Sequence, residues 1–196
     1  MANNNSSNVT AGKPKVGGSV FRAPTGTTLP TDASTALNSA FVNQGYCSSD
    51  GFKNNMGISV EKVKAWGGDV VLTTQTEKTD EFTVTLIEAM NTEVLKTVFG
   101  DSKVSGALST GVTVQVSSEE NTESAWVCEM VLKDNVAKRV VVPFGKITAI
   151  SEITYSDSGA VGYQLTIAAR PDTNGNTHYE YLKSATVSGG GGGGTT

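Results

Sequence analysis

Cysteine and histidine are almost missing: Cys47, Cys128 and His178 are the complete set in 196 residues, and no CxxC spacing occurs. That leaves no Cys/His cage for a metal and at most one disulfide. Cys128 alternates with Trp126 and Met130, so it reads as a small buried apolar residue. No apolar run is long enough to span a bilayer, and no apolar leader follows Met1. The N-x-S/T triplets at Asn4, Asn5 and Asn8 have no meaning without a secretory route. These absences lead us to expect a soluble protein of a reducing cytosol without a membrane partner. A basic excess is also missing: 15 Lys/Arg stand against 19 Asp/Glu, a net charge of −4. Holding nucleic acid by its phosphates is therefore excluded as a main activity. Aromatics make up only 7% of the chain while glycine contributes 22 residues, which favours a turn-rich β protein over a helical bundle.

Charge is distributed unevenly. Residues 77–134 carry eleven acids and four bases, whereas the first 31 residues hold Lys13, Lys15 and Arg22 and no acid. A basic arm and an acidic body can attract one another between subunits.

The chain is organised around residues 80–100. Phe82, Val84 and Leu86 alternate with Thr83, Thr85 and Ile87, the pattern of a half-buried strand. The period then changes, and Met90, Val94, Leu95 and Val98 share one helix face. Asn91 is the expected N-cap of a helix at about 91–99, Glu93 sits in its first turn, and Gly100 ends it. Met90 and Leu95 occupy the positions of a hydrophobic staple. Thr97 is expected on the opposite, solvent-facing side.

Elsewhere strands dominate. Residues 42–46 read as a short strand, 47–57 as polar turns, and 58–66 as ambiguous between strand and helix. Gly67-Gly68-Asp69 is a turn, and strands at 70–76 and 82–87 read as a hairpin about Glu77-Lys78-Thr79. Val70 and Leu72 are expected on the core with Phe82, leaving a Thr/Gln side free to face water. Further strands are expected at 110–117 and at 178–183. Hairpins are expected at 124–133/136–144, around Asp134-Asn135, and at 146–155/159–170. Asp32 is expected to cap a short helical turn carrying Leu37 and Phe41. About eight strands with one helix give a mainly β fold, a β-sandwich or barrel with one flanking α-helix. Residues 1–20 form an extended, flexible N-terminal arm, 21–185 the β domain, and 186–196 a disordered Gly-rich tail containing Gly189–Gly194.

Catalytic signals are weak. His178 has no evident nucleophile or orienting partner in the sequence. The pairs Asp80-Glu81 and Glu119-Glu120 point to opposite faces if they lie in strands, unlike an acid/base couple. Neither Gly17-Gly18 nor Gly67-Gly68-Asp69 is followed by the helix and lysine of a phosphate loop. Trp66 and Trp126 are expected in the core. No catalytic, cofactor-binding or metal residues are assigned, and no cofactor is expected.

Several segments taken in order resemble the major tail tube protein of long-tailed, non-contractile bacteriophages, particularly those of actinobacterial hosts. They include Leu29-Pro30-Thr31-Asp32-Ala33, Lys64-Ala65-Trp66-Gly67-Gly68-Asp69, and Phe82-Thr83 through Leu86-Ile87-Glu88-Ala89. Others are Lys138-Arg139-Val140-Val141-Val142-Pro143 and Gly175-Asn176-Thr177-His178-Tyr179-Glu180-Tyr181. Together they fall within about residues 17–183. The resemblance implies a β-sandwich with one helix, hexameric rings whose inner strands join into one barrel, and rings stacked into a hollow tube. It further implies assembly on a tape measure protein in the host bacterial cytoplasm, with tail terminator and tail tip proteins as partners. Viral DNA would pass through the lumen without specific binding, and the family carries no enzymatic residues. In such a ring the Thr83/Thr85 side is expected to line the channel. The alternative is a β-sandwich binding or decoration module on a virion surface.

Overall fold

The computed structural model describes residues 4–184; residues 1–3 and the expected tail at 186–196 lie outside them. The described residues are mainly β with one α-helix. Its strands are β1 (Lys13–Pro14), β2 (Val20–Pro24), β3 (Val42–Asn43), β4 (Lys53–Lys64), β5 (Val70–Leu86), β6 (Val104–Ala107) and β7 (Gly111–Val114). They continue as β8 (Ser124–Val131), β9 (Ala137–Ile150), β10 (Tyr163–Ala169) and β11 (Tyr179–Lys183), and the helix α1 (Thr92–Phe99) follows β5. Nine strands form one sheet in the order β3-β2-β8-β9-β10-β5-β4, with β1 beside β8 and β11 beside β9; β6 and β7 form a separate hairpin.

The stretch 80–100 folds largely as its pattern dictates. Asn91 caps α1 by accepting from Glu93 N at 3.0 Å, Lys96 and Glu93 pair at 2.7 Å, and Gly100 closes the helix at φ 107°. Val94, Leu95 and Val98 are buried against Phe82, Val84 and Leu86 of β5. The expected staple does not form, because Met90 is 74% exposed and points away from the core. Thr97 is also placed differently from expectation: it is 3% exposed, and its hydroxyl donates to the buried Gln44 Oε1 at 2.7 Å while accepting from Arg22 Nη1 at 3.2 Å. The β2–β3 region covers that face of the helix, which helical periodicity cannot show. Leu95→Ala is expected to cost about 2–3 kcal/mol. Thr97→Ala, which leaves Gln44 without its donor, should cost about 1–3 kcal/mol. Urea melts giving a negligible loss for Thr97→Ala would contradict the second value.

The largest departure from expectation concerns β5. No turn occurs at Glu77-Lys78-Thr79; residues 70–86 form one strand of 17 residues. Its partner is β4, which pairs from Lys53↔Thr83 to Lys64↔Val70, so the ambiguous stretch at 58–66 is mostly strand. Only the second half of β5 reaches the core. From Val70 to Lys78 every residue is exposed, so Val70 and Leu72 do not pack beneath the helix. β-branched and threonine-rich residues sustain extended backbone without burial when a partner strand satisfies the ladder.

A second long strand, β9, replaces two expected ones. Its first half pairs with β8 on one edge and β11 on the other, and its second half pairs with β10. The β8–β9 hairpin turns at Asp134 and Asn135, both at φ 58°, as the Asp-Asn step suggests. At the crossover Gly145 lets Trp126 donate its indole N–H to the Gly145 carbonyl at 3.2 Å; a Cβ there would stand 2.7 Å from both Trp126 and Ile167. The main core lies between the β2–β8–β9 side, the β10–β5 side and α1. On the other face of β8 and β9, a smaller cluster of Ala23, Phe41, Ala125, Val127 and Val141 lies beneath the chain between β2 and β3, together with Leu29 and Leu37.

That covering segment contains no helix. Asp32 does cap locally, accepting from Ser34 N and Thr35 N at 2.6 Å each, but bends follow rather than a helical turn. Arg139 holds it instead. The guanidinium, 1% exposed, donates to the carbonyls of Asp32 (2.6 Å) and Thr35 (2.8 Å) and to the buried Glu129 carboxylate. Lys15 reaches the other oxygen of Glu129 at 2.6 Å, so the acidic partner of Lys15 lies within its own chain.

Candidate functional site

Of the residues singled out as chemical candidates, the structure brings His178 and Asp80 together and separates the others. His178, just before β11, donates or accepts at Asp80 of β5 through Nδ1 at 2.5 Å. Asp80, 3% exposed, also accepts from Thr177 Oγ1 at 2.5 Å and Asn54 Nδ2 at 2.6 Å. The histidine thus has the partner that the sequence did not reveal. The Thr177 hydroxyl donates to the same carboxylate as the imidazole contacts. The cluster clamps β4, β5 and the segment before β11 together where the β4–β5 hairpin leaves the body. Burial pushes the Asp80 carboxyl up, but the Thr177, Asn54 and His178 contacts outweigh it and hold the pKa below its usual 3.8. A carboxyl lowered by folding contributes stability that is fully present above 3.8 and disappears as pH falls through the lower folded value. Asp80→Asn should cost about 1–3 kcal/mol near neutral pH, and the difference from wild type should shrink in acid. Equal losses at both pH values would contradict this assignment.

The other candidates separate. Cys47 and Cys128 are free thiols, and burial raises both, Cys128 to about 12, so neither is a ready nucleophile. Of the adjacent acids, Glu119 pairs with Lys103 at 2.8 Å and Glu120 with Lys146 at 2.7 Å, while Glu81 lies on the face opposite Asp80. Among the described residues no group of three or more His, Cys, Asp or Glu converges on a metal position. Trp126 is buried as expected. Trp66 is not: it sits fully exposed at the turn of the β4–β5 hairpin, where Gly67 and Gly68 have φ of 113° and 101°.

What the structure does assemble is an exposed apolar surface. The projecting hairpin exposes Met56, Ile58, Val60, Val63, Trp66 and Leu72, each at least 48% accessible. Met56, Ile58 and Val60 alternate on one side of β4 and continue the core-facing side beyond the core. Apolar side chains concentrated on one projection mark an interaction site. The sequence signal was available in the alternation of residues 56–60, but it does not reveal that the body ends before them.

Among the described residues two sheet edges are also open: β4 pairs only with β5 along its 12 residues, and the second half of β9 pairs only with β10. Between these edges the layer β9–β10–β5–β4 presents Thr83, Thr85, Gln164, Thr166 and Ala168 on the side away from the core, with Thr85 opposite Gln164 and Thr83 opposite Thr166. Lys53 lies across from Thr83 on the same side, so this face is not free of cations. No helix among the described residues is long and apolar enough to cross a membrane.

No curated protein matches the chain. A family model described as phage tail tube protein matches residues 1–190, nearly the full length. The exposed hairpin and open edges are what a self-assembling tube subunit requires, and the chain belongs to the phage tail tube protein family.

Proposed function

We propose that the protein is a structural, non-catalytic subunit that closes into hexameric rings and stacks into the tail tube through which the phage genome is delivered. The supporting observation is the pair of open edges on the layer β9–β10–β5–β4. Its strands alternate in direction, so β4 of one copy and the second half of β9 of the next run oppositely and can pair antiparallel without breaking the alternation. Exposed edges of this length are a hazard in a monomer, and closure removes them. Six copies of a four-strand layer make about 24 strands, more than the 16–18 at which barrels already enclose an aqueous channel.

In that barrel the side bearing Thr83, Thr85, Gln164 and Thr166 lines the lumen, because the reverse side packs on the core. Hydroxyls keep the wall hydrated, and with Lys146 paired to Glu120 and Glu81 on the same face as Lys53 the wall offers little net charge to hold phosphate. DNA passes without specific binding. A tape measure protein sets the tube on which rings accumulate in the host cytoplasm, and tail terminator and tail tip proteins close its ends. Electron microscopy of the concentrated purified protein tests the reading: hollow rings or tubes support it, and a monomer at every concentration rejects it.

A further inference from the structure

The hairpin turn and a deep groove lie at opposite ends of the same two strands. The turn joins the end of β4 to the start of β5. The groove, about 670 Å3, lies where β4 begins and β5 has just ended, and it is lined by Phe52, Cys47, Val20, Cys128 and Met130. One wall is the N-terminal strap, residues 12–19, and the other is residues 43–52. Both walls are built rather than loose. Tyr46 N donates to Glu88 Oε1 at 2.8 Å, and Asn43 Nδ2 donates to the Gly17 carbonyl at 2.9 Å. Gly18, at φ 141°, permits that approach, since a Cβ there would meet the Asn43 side chain at 2.5 Å.

Building on the tube reading, we propose that this groove receives the β4–β5 hairpin turn of a second copy, with Trp66 as its anchor. The turn is preorganised: Ala65 N donates to Asp69 O at 2.7 Å and Gly68 N to Ala65 O at 3.0 Å, which holds the indole out in water. A rigid exposed aromatic meeting an apolar pocket is the usual form of an interface hot spot. The groove suits an indole, because Cys47, Cys128, Met130 and Phe52 are among the residues that line it. The rims complement as well. Asp69 and Lys64 flank the turn, while Lys13, which makes no ion pair among the described residues, and the Glu88 carboxylate line the groove.

The contact is head to tail. β5 alone spans about 55 Å at ~3.3 Å per residue, so a turn cannot reach the groove of its own chain. Each engaged pair therefore leaves one turn and one groove free, and association propagates along the strand axis instead of stopping at a dimer.

Two measurements on assembled wild-type and variant protein test the proposal. Trp126 is buried, so iodide quenching of tryptophan emission reports Trp66. Quenching should be lost when wild-type protein assembles. In Trp66→Cys tubes, mild oxidation should give a ladder of disulfide-linked multimers that disappears when Cys47→Ser is added. Tubes in which Trp66 is quenched as in the monomer, or a ladder that survives Cys47→Ser, overturn the groove assignment and leave the tube reading intact. Protein that remains monomeric, unlinked and quenchable at every concentration rejects both.

Discussion

Arg139→Leu is expected to destabilise the protein by about 3–5 kcal/mol, the largest loss we foresee for one side chain. Arg139 and Glu129 are 1% and 4% exposed and bond to one another across β8 and β9. Removing the guanidinium leaves a buried carboxylate whose other cation, Lys15, is half in solvent and screened. It also releases the carbonyls of Asp32 and Thr35, which hold the covering segment on its cluster. The double variant Arg139→Leu with Glu129→Leu should recover much of the loss, since an apolar pair removes the unpaired charge. Lys15→Ala alone should cost less than about 1 kcal/mol. Urea denaturation of the three variants checks the order. A single-variant loss as small as that of Lys15→Ala would mean that Glu129 reaches water without its partner.

Thr85→Lys is expected to leave folding and tube formation intact and to slow genome ejection. Thr85 lies opposite Gln164 on the side of β5 away from the core, and it is not the direct neighbour of Lys53, which faces Thr83. A lysine at Thr83 would set two like charges directly across strands and confuse instability with function. At Thr85 the added cation recurs in every subunit of every ring, so weak phosphate contacts accumulate along the DNA. At low salt the slowing should be about tenfold or more, and rising salt should relieve it through counterion competition. Ejection rates from variant particles across salt concentrations measure the effect. Normal rates at low salt, with a Thr85→Cys variant labelled from outside intact tubes, would place this face on the exterior.

The helix shows how far local pattern reaches. Its cap, its stop and three of its core contacts were legible because each depends on residues within a few positions of one another. The Met90–Leu95 staple failed and Thr97 proved buried because what covers each side of a helix is decided by distant chain. The same holds for His178, whose partner Asp80 is 98 residues away.

By itself the sequence determined that this is a mainly β protein with one capped helix, a threonine-rich side along Thr83 and Thr85, too few Cys and His for a Cys/His cage and no basic excess of charge. Those properties follow from periodicity, short-range capping and composition. Only the tertiary structure decided that residues 70–86 are one strand, that half of it extends beyond the core, and that Trp66 stands in solvent rather than inside. A strand period records which residues share a face; it does not record where the opposing layer ends. Burial depends on long-range packing, and the layer that covers Phe82, Val84 and Leu86 stops short of Val70 and Leu72, so that the hairpin projects beyond the body.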